Sequence, residues 1–179
     1  DSVQYSDLSH FFRCWLNFML PQKIKWKYHI SESAVAGAVE NDRNYCDILS
    51  QIWSECNRVL DRSHGRLIFT FHHWKPDAWA QLTIALFRAN FYLLNSFIIH
   101  SENPISVHIQ NLNALTHDAV LVLCPKDVQY AKEWNKPEKI EISDSQTFCH
   151  DCSQLLGHML ANDYSETEIY EMWKKKMRV

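Results

Sequence analysis

The sequence predicts an α/β fold. The expected architecture is a small sheet of about three strands, the last one antiparallel, with flanking helices and a helical carboxyl-terminal tail. Three observations predict it. Apolar runs rich in β-branched and aromatic residues occur at Arg66–Phe71, Phe91–Ile99 and Ala119–Leu123, the composition of strands. A helix-period segment opening on Pro76 separates the first two runs. After Pro125 the pattern changes to helical stretches separated by turns at Lys136-Pro137 and near Asn162-Asp163.

The elements follow in order. In YSDLSHFFRCWLNFML, the residues Leu8, Phe11, Phe12, Trp15, Leu16 and Met19 recur at helical spacing, and Ser6 or Ser9 can cap the start. Pro21 stops this amphipathic helix, and Pro21–Asn41 reads as a loop or short excursion. Asn44–Leu60 is a second helix, with Tyr45, Ile48, Leu49, Ile52, Trp53, Cys56 and Leu60 on one face. Ser63, His64 and Gly65 end it, with Gly65 as the permissive backbone position. Pro76 suits the first turn of the next helix, because its missing N–H would be unpaired there. That helix runs to Ala89, buries Trp79, Leu82, Ile84, Ala85 and Leu86, and ends on Asn90 as a left-handed cap.

Strands preceded or followed by helices put the first two strands parallel. The loop His100–Thr116 holds only a short helix over Ile109–Leu115, so the last strand can return antiparallel beside its predecessor. Lys126–Asn135, Ser145–Ala161 and Ser165–Met177 read as helices, and Ser165 with Glu168 fits a capping box. The predicted division is an α/β half-domain over 1–125 and a helical extension over 126–179.

Composition sets bounds on function. The chain has 179 residues, 46% hydrophobic and 13% aromatic, enough for one domain with a real core. With 3 glycines and neither a GxGxxG nor a GxxxxGK[ST] motif, it has no phosphate-cradling loop. The formal net charge of −3 leaves nucleic-acid binding to local patches: Lys23, Lys25 and Lys27 around Trp26, or Lys174–Lys176 with Arg178. Each reads first as a solvated face. The 6 cysteines are too scattered for a disulfide scaffold, and no signal peptide is seen. The most apolar window, Leu82–Ile99, carries Arg88, Asn90 and Asn95, so no membrane span is expected and a cytoplasmic home is the default.

Three constellations could carry chemistry. His72, His73 and Trp74 end the first strand, where open α/β sheets collect ligands. Successive strand residues point to opposite faces, which argues against the two imidazoles sharing a metal. They read either as a pocket wall for a planar ligand or as polar strand-end residues with a packing tryptophan. Ser101, Glu102, Asn103 and Pro104, with His100, Ser106 and His108, form a polar loop or an ordinary turn. Cys149 and Cys152 have a C-x2-C spacing but no second pair. With Leu156 and Met159 they read as a buried helix face rather than a zinc site.

These residues carry a family resemblance. FTFHHWKPDAWAQLTIALFRANF, HSENPISVH and ALTHDAVLVL resemble the later half of adenine-specific DNA methylases, of the DUF1156-containing type. DSVQYSDLSHFFRCWL resembles the segment just after their (D/N)PPY motif, and together the likeness covers roughly Asp1–Leu20 and Asn44–Leu123. The resemblance implies a Rossmann-like fold, with Arg66–Phe71 as the fifth strand and the last two strands as a closing antiparallel pair. It implies S-adenosylmethionine as methyl donor and DNA as partner, with a flipped-out adenine accepting the methyl group on its exocyclic amine. On that reading Asp1, Tyr5, Ser6 and Asp7 line the pocket floor, and His72, His73 and Trp74 its side. Ser101, Glu102, Asn103 and Pro104 form the rim. The chain itself lacks (D/N)PPY and the glycine-rich donor motif, and it opens on Asp1 rather than Met. The expectation is a fragment, split half or degenerate relative, inactive alone, that needs an amino-terminal part.

Overall fold

Alternation along the strands decides which face of the sheet is buried, and the helices follow from it. The computed structural model describes residues 5–24, 42–100, 115–127 and 132–177, apart from the side chains of 5–10 and 42–44. The described elements are helices α1 (Tyr5–Met19), α2 (Asp42–Val59), α3 (Pro76–Arg88), α4 (Ser145–Ala161) and α5 (Glu166–Lys176). The strands are β1 (Leu67–Phe71), β2 (Phe91–His100) and β3 (His117–Pro125).

The chain forms two compact units, Asp1–Leu49 and Ser50–Val179. The boundary falls inside α2 rather than after Pro125, and the segment read as a carboxyl-terminal extension belongs to the same unit as the sheet. In the first unit α1 carries the expected aromatic stripe. Phe11 meets Phe12 and Trp15 edge-on at 5.7 and 6.4 Å, and these side chains are exposed.

In the second unit the sheet is antiparallel throughout, in the order β1-β3-β2. β3 pairs with β2 as expected, His100 opposite His117 and Phe97 opposite Val120. It also pairs with β1, Phe71 opposite Ala119 and Leu67 opposite Leu123. β1 and β2 therefore run the same way, as predicted, but they are not neighbours, because β3 lies between them. Residues directly opposite each other share a face. Ala119, Leu121, Leu123 and Leu93 are buried on one face, against α3 and α4. On the other face Ile68 and Phe97 stay exposed at 59% and 54%, while Cys124 is fully buried.

α3 starts on Pro76 at its first turn and ends before Asn90, whose φ of 60° is the left-handed cap expected there. All five core residues predicted for α3 are buried. The buried Asn57 amide donates to the Ala89 and Asn90 carbonyls at 2.8 and 3.0 Å, satisfying acceptors that the end of α3 leaves open. α5 packs on α3: Trp173 stacks on Trp79 at 5.4 Å, and Arg88 forms a two-pronged pair with Glu166 at 2.6 and 2.7 Å. Ser165 and Glu168 form the predicted capping box.

Two expectations are corrected. No helix covers Lys132–Asn135. There the Trp134 indole donates to the Leu93 carbonyl at 3.1 Å and the ring packs on Gly157, so a tertiary anchor overrides helix propensity. Gly65 is needed for space rather than for a left-handed backbone: a Cβ there would collide with the Asp61 carbonyl oxygen and lie 2.8 Å from its nitrogen. The short helix expected over Ile109–Leu115 lies outside the described residues except for Leu115, which is buried and not helical. No helix among the described residues is long and apolar enough to cross a membrane.

Candidate functional site

The register brings the carboxyl ends of β1 and β2 to the amino end of β3. Ile99 faces Asp118 and His100 faces His117 across the β2–β3 ladder. β1 pairing ends at Phe71 opposite Ala119, so the next residue, His72, arrives beside Asp118. The His72 Nδ1 and Asp118 Oδ1 are in direct contact, the side chains 39% and 18% exposed. An ionised carboxylate only accepts, so Nδ1 donates and Nε2 is left as the basic nitrogen. This is the arrangement that orients a proton-accepting imidazole.

His73 turns elsewhere. Its Nδ1 accepts from the Lys75 backbone N–H at 3.0 Å, and its carbonyl accepts from the Trp79 indole at 2.6 Å. The buried Trp79 thereby fixes the turn between β1 and α3. Burial holds the His73 imidazole below its ordinary pKa, and the nearby charges of Lys75 and His72 push the same way. Trp74 is 53% exposed, with the Lys75 ammonium 6.0 Å from its ring centroid. An exposed indole face beside a cation can take a planar ring.

The neighbouring strand ends add further groups, of which the sequence had pointed only to His100. His100 and His117 meet edge-on at 4.8 Å. The Ser145 hydroxyl accepts from the backbone N–H groups of Thr116 and His117 at 3.0 and 3.1 Å, tying the start of β3 to the start of α4. Asp144 caps α4, and its hydrogen bonds from Thr147 hold its carboxyl below the usual range, with His117 adding to the effect. The signal for Asp118 and His117 was the polar triplet Thr116-His117-Asp118 just before an apolar strand, but only the register shows that it meets His72.

Of the predicted site residues, His72 and Trp74 lie at this sheet end, with His73 beside them. Tyr5, Ser6 and Asp7 open α1, and their side chains are outside the described residues. Asp1 and Ser101, Glu102, Asn103 and Pro104 are also outside them. Cys149 and Cys152 are fully buried on α4, as the helix-face reading required. The Cys149 thiol donates to the His117 carbonyl at 3.1 Å, and burial pushes its pKa up to about 12, with Asp118 and Asp144 adding to the rise. Among the described residues no three His, Cys, Asp or Glu side chains converge as a metal set.

A cleft of about 480 Å³ lies near the opposite strand ends, lined by Tyr92, Lys132, Trp134 and His158 among others. Its polar groups already serve one another: Lys132 donates to Asn95, and His158 pairs with Tyr164. The sheet end is the better candidate, since His72 and Trp74 stay partly exposed there beside Asp118. Compared with protein-family models, with curated proteins and with solved structures, the chain matches none.

Proposed function

We propose that this chain is the catalytic-side part of an S-adenosylmethionine-dependent adenine-N6 DNA methyltransferase. The observation that carries the reading is the contact of His72 with Asp118 at the carboxyl end of β1, two residues before the half-exposed Trp74. In open α/β sheets that is where ligands gather. The fold supports it at a coarse level: a mixed α/β unit whose last strand runs antiparallel to the others.

Trp74 offers a face on which a flipped adenine can stack, a contact worth about 1–3 kcal/mol per base. The His72–Asp118 pair offers a hydrogen-bonding edge beside it. The methyl donor needs a glycine-rich strand-end turn and an acidic group for its ribose. Neither motif occurs in the 179 residues, so donor binding and the (D/N)PPY contacts to the amine would come from an amino-terminal part. The test is methyl transfer to DNA by this chain mixed with such a part. Activity that requires both, and that Trp74→Ala lowers about tenfold, supports the reading. A folded mixture that transfers nothing removes it.

A second reading rests on the same missing motifs: a methyltransferase-like module kept for nucleic-acid or protein binding. It predicts no donor affinity in any mixture. Calorimetry that detects tight S-adenosylmethionine binding would exclude it.

A further inference from the structure

The two edges of the sheet are finished differently. β2 forms one edge and β1 the other, with β3 between them. The β2 edge is guarded. A register shift between Leu93 and Asn95 bends it, the Trp134 indole donates to the Leu93 carbonyl at 3.1 Å, and Lys132 donates to the Asn95 side chain at 3.1 Å. Bulges and lysines are devices that keep an edge from recruiting another strand. β1 has none of them. Its 5 residues, Leu67–Phe71, hold no charge, proline or glycine, and they pair with β3 in continuous register. The outer side of β1 meets no strand among the described residues. An open edge of this composition is a template for another chain.

Two side-chain observations mark the same edge. Trp53 of α2 stacks on Phe69, the middle residue of β1, at 4.9 Å, and its indole N–H is buried with no acceptor among the described residues. Buried donors in folded proteins are nearly always paired, so an acceptor from outside the single chain is wanted here. Arg66, directly before β1, donates to the Gly65 carbonyl at 2.7 Å and meets no carboxylate among the described residues. By the alternation of a strand, Arg66, Ile68, Thr70 and His72 share one face. That face carries a cation at one end of β1 and the His72–Asp118 pair at the other.

We propose that β1 is the interface of a homodimer. Two copies of this chain lay their β1 strands side by side, antiparallel about a two-fold axis at Phe69, and join their sheets into one. An isologous contact of this kind uses each edge once and closes. The register follows from pairing every residue of the strand. Phe69 meets Phe69, Leu67 meets Phe71, and Ile68 meets Thr70 of the other copy. Opposite residues share a face, so the buried faces of the two sheets run on into each other. The same register sets Arg66 of one copy opposite His72 of the other. Its guanidinium then stands beside the His72–Asp118 pair, and each candidate site gains a cation from the other copy. This charge complementarity fixes the antiparallel sense, because a parallel pairing sets Arg66 against Arg66. The inference rests on the sheet edge and not on methyl transfer.

Sedimentation velocity of the full chain over a concentration series, with hydrogen exchange read on β1, tests this. The expected result is a monomer–dimer equilibrium in which amide exchange over Leu67–Phe71 slows as the dimer forms. Ile68 and Thr70 are exposed, so substitutions there spare the core. Ile68→Lys with Thr70→Lys sets lysine against lysine twice across the axis and should weaken dimerisation about tenfold. Ile68→Lys with Thr70→Glu places opposite charges at the same contacts and should restore most of the loss. Arg66→Gln should weaken the dimer severalfold and make it less sensitive to salt. Circular dichroism checks the fold of each variant. A chain that stays monomeric at every concentration overturns the proposal. So does a dimer that the two double variants weaken alike or leave intact, since its contact then lies elsewhere. Protection of β1 amides only when a separate amino-terminal part is added gives the edge to that part, and likewise overturns the pairing of two copies.

Discussion

Gly157 lies inside α4, where replacement by alanine ordinarily stabilises a helix by about 1 kcal/mol. The structure reverses the expected sign. A Cβ at Gly157 would collide with Trp134 Cδ2 and lie 2.6 and 2.7 Å from Cγ and Cε2 of the same ring. The obstacle is a rigid indole, only 8% exposed, whose N–H donates to the Leu93 carbonyl at 3.1 Å. Making room costs about 1–3 kcal/mol for overpacking. If the indole moves off Leu93, a further ~1 kcal/mol of hydrogen bonding goes with it. Against the propensity gain, the net with the hydrogen bond lost is a destabilisation of about 1–3 kcal/mol, or roughly 2–12 °C in Tm for a chain of this size. Thermal and urea unfolding followed by circular dichroism measure it. A double-mutant cycle sharpens the test: with Trp134→Ala already in place the clash is gone, and Gly157→Ala should then stabilise by about 1 kcal/mol. A Gly157→Ala variant that is more stable than the parent with Trp134 intact would refute the reasoning.

Other outcomes follow from single contacts. Thr83 donates to the Trp79 carbonyl at 2.7 Å and accepts from the buried Trp173 indole at 3.0 Å. Thr83→Val should therefore leave that N–H unpaired and lower unfolding free energy by about 1–3 kcal/mol, with Thr83→Ser largely sparing it. Ser165→Ala removes the capping box of α5 and should cost about 1 kcal/mol in urea unfolding, with faster amide exchange in the first turn of α5. The Cys149 thiol has its pKa raised from an ordinary value of about 8.5 to about 12. The folded state then holds a proton that the unfolded state releases, so its contribution is intact below about pH 8.5 and is lost as pH rises toward 12. Cys149→Ala should flatten the decline in stability over that window. In the native protein at pH 8, a thiol reagent should label the exposed Cys14 and leave Cys149 and Cys152 unmodified until the chain unfolds.

Much of the fold was legible because it is local. Pro76 at a first turn, Asn90 past a last one and Ser165 three residues before Glu168 are rules about a few adjacent residues. The face of α4 that carries Cys149, Cys152, Leu156 and Met159 was readable from spacing, and all four are fully buried. Lys132–Asn135 was misread because the deciding contact is with Leu93, about forty positions away along the chain. Of the candidate site, His72 and Trp74 were visible as polar and aromatic residues at a strand end, whereas Asp118 was not.

The sequence by itself determined that there would be strands at β1, β2 and β3, and where α3, α4 and α5 begin. Periodicity and capping chemistry specify those things within one segment. Only the tertiary structure decided that β3 inserts between β1 and β2, because a period of two assigns faces and not neighbours. That insertion sets Asp118 beside His72, residues that lie 46 positions apart along the chain.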